Sequence, residues 1–154
     1  MKHLYASTAA GLMALGLASL ALAADLSPEE QIETRQAGYA FMAWNMGKIK
    51  ANLEGEYNAD QVRAAANVVA AIANSGMGAL YGPGTDKNVG AVKTRAKPEL
   101  FQNLEDVGKL ARDLGTAANA LAAAAATGEA NAVKSAFADV GAACKACHQK
   151  YRAD

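Results

Sequence analysis

The sequence predicts an all-α protein, an antiparallel up-down-up-down four-helix bundle, and three observations carry that reading. Alanine dominates a chain of 154 residues with only three prolines, and few segments show the alternation of β-branched residues expected of strands. Apolar residues recur at spacings of three and four along four long segments, which is what bundle packing needs. Short connections join the first segment to the second and the third to the fourth, so each of those pairs is expected to be antiparallel.

The first helix opens at Ser27-Pro28-Glu29-Glu30, with serine as the N-cap, proline at the first helical position and glutamate three residues after the cap. It runs to about Leu53 and stops at Gly55, with Ile32, Tyr39, Met46 and Leu53 along one stripe and Met42 and Ile49 between them. The second helix starts near Asn58, with Gln61 at the capping-box position, and ends by Gly76. A glycine-rich stretch containing Gly82-Pro83-Gly84-Thr85 then keeps the chain irregular until Pro98. A loop so long in a small bundle is expected to have a job. The third helix runs from about Pro98 to Ala126 and ends at Thr127-Gly128. Phe101, Leu104, Gly108, Ala111, Ala118 and Leu121 form its stripe, with Leu114 beside it. The fourth spans roughly Glu129 to Tyr151, and Val133, Phe137, Val140, Cys144 and Cys147 share a face. Stripes this rich in alanine and glycine leave volume to be filled by something else, because protein interiors are close-packed.

Cys144-Lys145-Ala146-Cys147-His148 says what that filler is. C-x-x-C-H is the attachment signature of c-type haem: each cysteine sulfur adds across one haem vinyl, and the histidine becomes the axial ligand of the iron. On a helix the three side chains stand at i, i+3 and i+4 and point to one face. These are the only two cysteines, and His3 is the only other histidine. A zinc site would need a fourth ligand and usually a second Cys/His pair. A thioredoxin-like C-x-x-C belongs near a βαβ pattern, usually opening a helix, whereas this one closes a helix. One covalently bound haem c per chain is the expectation.

The N-terminus supports it. Lys2 and His3 form a short polar start, a leucine-rich stretch follows to Leu22, and Ala21-Leu22-Ala23 is an A-x-A cleavage pattern. Residues 1–23 therefore read as a cleaved secretory signal peptide and residues 24–154 as one exported domain. The apolar run is short for a transmembrane span, so no membrane association is expected after cleavage. Fifteen basic residues balance fifteen acidic ones, and nothing in that balance points to nucleic acid.

The mature chain resembles cytochrome c′, the class II c-type cytochromes of bacteria. The resemblance rests on Arg35-Gln36, on Gly82-Pro83-Gly84-Thr85, and on Gly141-Ala142-Ala143-Cys144-Lys145-Ala146-Cys147-His148 with Tyr151-Arg152. The late position of the haem motif fits, since class I cytochromes c carry it near the N-terminus. The resemblance implies a periplasmic homodimer with Cys144 and Cys147 as thioether sites and His148 as axial ligand. It also implies Arg35 and Gln36 against the haem propionates.

Arg35 can be argued from its surroundings as well. It takes a core-type position between Ile32 and Tyr39, where a buried guanidinium calls for an anion, and a propionate is the obvious one. The other reading is that its stem packs while the guanidinium reaches water. Arg95, in Lys93-Thr94-Arg95-Ala96-Lys97, is a weaker candidate for the same haem edge.

The sixth coordination position separates the possible functions. Low-spin class II cytochromes carry a methionine four residues after the position held here by Arg35, and this chain has Tyr39 there. Its phenol would fill the space on the distal face without donating a soft ligand, leaving a five-coordinate, high-spin iron. Met42 or Met46 as sixth ligand is the alternative, giving a low-spin electron-transfer cytochrome, and a Tyr39 phenolate ligand is a third possibility. An open site of this kind would bind NO and CO, which need little distal help. The lack of a distal histidine argues against dioxygen carriage and against peroxidase chemistry, so no enzymatic activity is expected. Gas binding and single-electron transfer to partners of unknown identity are the two expected roles. Val62, Val69 and Trp44 are candidates for a second apolar face that would serve a dimer.

Overall fold

The computed structural model describes residues 26–153, so the expected signal peptide lies outside the described residues. Five helices follow in order: α1 (Pro28–Glu54), α2 (Ala59–Ala73), α3 (Pro98–Gln102), α4 (Leu104–Thr127) and α5 (Ala130–Tyr151), with a single 3-10 turn at Met77–Leu80 in the long connection. The bundle consists of α1, α2, α4 and α5. Contacts run α1 on α2, α2 on α4 and α4 on α5, whereas α1 meets α5 only sparsely. No described helix is long and apolar enough to cross a membrane.

Local chemistry explains the helix ends. The Ser27 hydroxyl accepts from the Glu30 N–H at 3.3 Å while the Glu30 carboxylate accepts from the Ser27 N–H at 2.8 Å, a complete capping box. The Asn58 side chain caps α2 by accepting from the Gln61 N–H at 3.0 Å. Gln61 does not close the box: the Asn58 N–H donates instead to Asn52 of α1 at 2.8 Å, which ties the two helices across their turn. Gly128, at φ +79°, ends α4 in the left-handed conformation that glycine adopts most easily.

The expected third helix is broken in two. Asn103 leaves helical geometry at φ −126°, ψ 46°, and its side-chain amide donates to the Glu99 carbonyl at 2.7 Å. Asparagine competes in this way with the backbone ladder, and here it separates α3 from α4.

The core lies toward the α1–α2 and α4–α5 turns. Ile49, Val62, Val69, Leu121, Val133 and Val140 are all 0 % exposed. Val62 and Val69 are thus interior residues, not part of an outer face. Of the three residues expected on that face only Trp44 stays outside, and Phe41 stacks on it at 5.5 Å between ring centroids. The buried seam of α1 also differs from the expected one. It contains Arg35, Asn45 and Asn52 beside Met42 and Ile49, which rotates Tyr39 to the margin.

Candidate functional site

Unbroken helix from Ala130 carries Cys144, Cys147 and His148 onto one face near the C-terminal end of α5. Both thiols are free and half-buried. Burial pushes both thiols above their ordinary range, and Cys144 and Asp106 add to the effect at Cys147. Such thiols stay protonated and make poor redox nucleophiles. His148 is pulled the other way, first by desolvation and then by the cations of Arg152 and Arg95. The Arg152 guanidinium stands 3.4 Å from its Nδ1. A neutral imidazole is the form a metal ligand needs.

Two joints hold this turn. At the start of α4, the Asp106 carboxylate accepts from the Tyr151 hydroxyl at 2.6 Å and from Lys150 Nζ at 3.0 Å. On the other side, the segment ending the long loop bridges to the end of α5. The Lys97 N–H donates to the Tyr151 carbonyl at 2.9 Å, and the Ala153 N–H donates to the Arg95 carbonyl at 2.8 Å. Arg95 Nε returns a bond to the Ala153 carbonyl at 3.0 Å. Arg95 therefore sits beside His148 and Arg152, lining an open cleft with them.

The facing wall comes from α1 and the long loop. Arg35 is 3 % exposed. Its Nη1 donates to the Leu80 carbonyl and the Thr85 hydroxyl, both at 3.0 Å, and its Nη2 to the Thr85 carbonyl and the Thr94 hydroxyl, both at 2.8 Å. Four of five N–H donors are thereby spent on neutral oxygens of the loop. Gln36 adds a bond from its amide to the Lys93 carbonyl at 2.6 Å. The loop is built to receive these contacts. A Cβ on Gly82 would stand 2.7 Å from Gln31 Oε1, and Gly84 turns at φ +83°. Thr85, between the helix and that turn, is 0 % exposed.

Tyr39 and Tyr81 lie in this wall. Tyr39 is 38 % exposed, and desolvation is the main reason its phenol is pushed up. Desolvation is likewise the main cause that pushes the Tyr81 phenol up, and Cys147 adds to the effect at both phenols. Tyr81 was not singled out by sequence, although it stands directly before the Gly82-Pro83-Gly84-Thr85 stretch. Met42 is 4 % exposed and belongs to the apolar core with Ile49, Val62 and Leu121; Met46 packs against the same cluster.

The residues present fit a haem. Two thiols and an imidazole share one face of α5, and α1 does not close on that face. At the same end, Leu104 and Tyr39 leave large apolar surface uncovered, 61 % and 38 % exposed. A planar apolar group held by two thioethers is what such a gap would take.

Comparisons with known proteins agree with this geometry. Residues 30–152 match the family model described as cytochrome c′. A cytochrome c′ of Allochromatium vinosum is 82 % identical over 99 % of both chains. A solved cytochrome c′, described as having an unusual ligand-controlled dimer dissociation, superposes with TM-score 0.84 at 82 % identity, covering 85 % of this chain and 100 % of its own. A cytochrome c′ of Alcaligenes xylosoxidans, solved as a CO-bound variant, superposes with TM-score 0.73 at 30 % identity, covering 83 % of this chain and 98 % of its own. A ferrous variant of the same protein with bound NO gives TM-score 0.73 at 29 % identity, with 83 % and 97 % coverage.

Proposed function

Because the chain belongs to the cytochrome c′ family, we propose that it is an exported, periplasmic haem c protein that binds NO and CO at a five-coordinate iron and can pass single electrons, without enzymatic turnover. The observation that carries this reading is the face of α5 with two free thiols and an imidazole, opposite an α1 wall that leaves room for a flat group. Haem c, when attached, supplies an iron centre open to diatomic ligands and to one-electron exchange.

This chain's own residues divide the remaining work. Cys144 and Cys147 would each hold one haem vinyl carbon as a thioether, and His148 would be the only protein ligand. Tyr39 guards the distal face with an apolar ring. Its pushed-up phenol keeps the hydroxyl protonated, which disfavours a phenolate ligand. Met42 and Met46 are engaged in core packing, which supports the high-spin reading over the methionine-ligated one. Arg35 keeps one N–H donor, on Nε, and Gln36 keeps its second amide hydrogen for a propionate; Arg95 would add charge at the same haem edge. The stacked pair Phe41 and Trp44, 51 % and 58 % exposed on α1, supplies the face for a homodimer.

Absorption and resonance Raman spectra of both oxidation states test the iron reading. High-spin features are expected, and a methionine-to-iron charge-transfer band would show Met42 or Met46 to be the ligand. Tyr39→Ala tests the guard. Moving the ring out of a ligand's way should cost roughly 1–3 kcal/mol, so the variant should bind CO about 5- to 150-fold more tightly and faster than wild type. Identical affinities and on-rates would remove Tyr39 from that role.

A further inference from the structure

One hydroxyl, that of Thr94 near the end of the long loop, joins the α1 wall to the segment that pairs with the end of α5. Its oxygen accepts from Arg35 Nη2 at 2.8 Å and from the Ala96 N–H at 3.2 Å. Both acceptor lone pairs of the hydroxyl are thereby taken. The first bond comes from a buried cation of α1. The second is a bond to the N–H two residues on, a local turn that sets the direction in which the chain leaves Thr94. Two further bonds steady this point. The Thr94 N–H donates to Asn88 Oδ1 at 2.9 Å, and the Lys93 carbonyl accepts from the Gln36 amide of α1 at 2.6 Å.

The chain is thus held to α1 at Lys93 and Thr94, and directly afterwards it is held to α5. The Arg95 carbonyl accepts from the Ala153 N–H at 2.8 Å, and the Lys97 N–H donates to the Tyr151 carbonyl at 2.9 Å. Between them Ala96 and Arg152 face each other in an antiparallel bridge. Tyr151 ends the helix one turn beyond His148. Since α1 and α5 themselves meet only sparsely, little else fixes the spacing of the two helices on this side of the gap.

We propose that Thr94 is a positioning residue that holds the turn bearing His148 in place against the α1 wall, and so sets how the histidine meets the iron. The proposal rests on the reading of His148 as the axial ligand. Without the hydroxyl, the segment from Arg95 to Lys97 keeps its backbone bonds to α5 but loses its direction from α1. The loop thereby gains a role distinct from connecting α2 to α4.

Thr94→Val keeps the shape of the side chain and removes the oxygen, whereas Thr94→Ser keeps the oxygen. Resonance Raman spectra of the ferrous holoprotein read His148 through the iron–histidine stretching band. In Thr94→Val the band should shift or broaden, and in Thr94→Ser it should stand where it does in wild type. Thr85→Val controls for a loss of stability alone. Thr85 is 0 % exposed and accepts from the other terminal nitrogen of Arg35, but no bond links its side chain to the segment that pairs with α5. Its variant should leave the band in place. Exchange of the Lys97 and Ala153 amides should speed up about 2- to 13-fold in Thr94→Val, the equivalent of one lost hydrogen bond, and not in Thr85→Val. An unshifted band in Thr94→Val would overturn the proposal, as would an equal shift in Thr85→Val or unchanged exchange at both amides. A wild-type ferrous spectrum with no iron–histidine band would remove His148 as ligand and take the proposal with it. A wild-type band that Thr94→Val leaves unmoved overturns the role of Thr94 alone.

Discussion

The half of the bundle near the α1–α2 and α4–α5 turns and the half near Cys144–His148 are made from the same four helices, but only the first is closed by its own side chains. In the first, Val62, Val69, Leu121, Ala125 and Val133 meet with 0 % exposure, and α1 and α2 are tied by Asn52 and Asn58 across their turn. In the second, α1 and α5 stand apart, Leu104 is 61 % exposed, and the polar joints lie at the rim. There Arg35 binds loop to α1, and Asp106 binds α4 to α5. The difference teaches that the bundle has one end closed by its own side chains and one end left open, where the proposed haem would sit.

The sharpest way to break the comparison is to deny the filler. Cys144→Ser with Cys147→Ser should abolish covalent haem attachment altogether, giving the mass of the bare polypeptide after acid–acetone treatment. Hydrogen exchange in that variant should speed up across 98–108 and 144–151 while the amides of 62–69 and 121–133 stay protected. Uniform loss of protection would mean the closed half is not independent.

A smaller effect separates the two ends at single apolar positions. Leu121→Ala should cost about 2–5 kcal/mol by leaving a cavity in the closed half. In the haem-free double variant, Leu104→Ala should cost less than about 0.5 kcal/mol, as an exposed position does. Denaturant unfolding of both checks this, and equal costs would erase the distinction.

Much of this was legible in the sequence, for reasons that differ by residue. Ser27, Glu30, Gly55 and Gly128 mark helix ends because capping is a local interaction, complete within a turn. Cys144, Cys147 and His148 stood out because their chemistry is rare and their spacing is short. The phase of α1 was harder. Arg35, Asn45 and Asn52 are polar residues in core positions, so a stripe drawn through apolar residues runs slightly askew and puts Tyr39 too deep. Asn45 resolves its burial by donating to the Phe41 carbonyl one turn back at 2.9 Å, a bond that periodicity does not reveal. The Asn103 break is hidden for the same reason. Tyr81 could not be read at all, since its place is set by contacts with Arg35 and Phe101 that lie far from it in sequence.

The smallest predicted effect concerns the rim joint between α4 and α5. Accepting from Tyr151 and from Lys150 holds the Asp106 carboxyl below its usual 3.8. That contribution is present above this pH and is lost as pH falls through the lowered value. Tyr151 moves the other way, pushed up from 10.0 to about 12 chiefly by its bond to Asp106. Its contribution is complete below pH 10.0 and is lost as pH rises toward 12. Thermal melts at pH 9 and pH 11 should therefore show a drop in wild type that is reduced in Asp106→Asn. An equal drop in both would mean that Tyr151 does not carry it.

Arg35 has the opposite character. Its partners are two carbonyls and two hydroxyls, the oxygens of Leu80, Thr85 and Thr94, and a guanidinium does not release its proton in a protein. No member of that network gains or loses charge over any pH at which the chain stays folded. The distal wall therefore keeps one permanent positive charge and one fixed geometry through acid and alkaline swings that loosen the Asp106 joint. Changes of pH would thus be felt at the joint of α4 and α5, with the Arg35 network insulated from them.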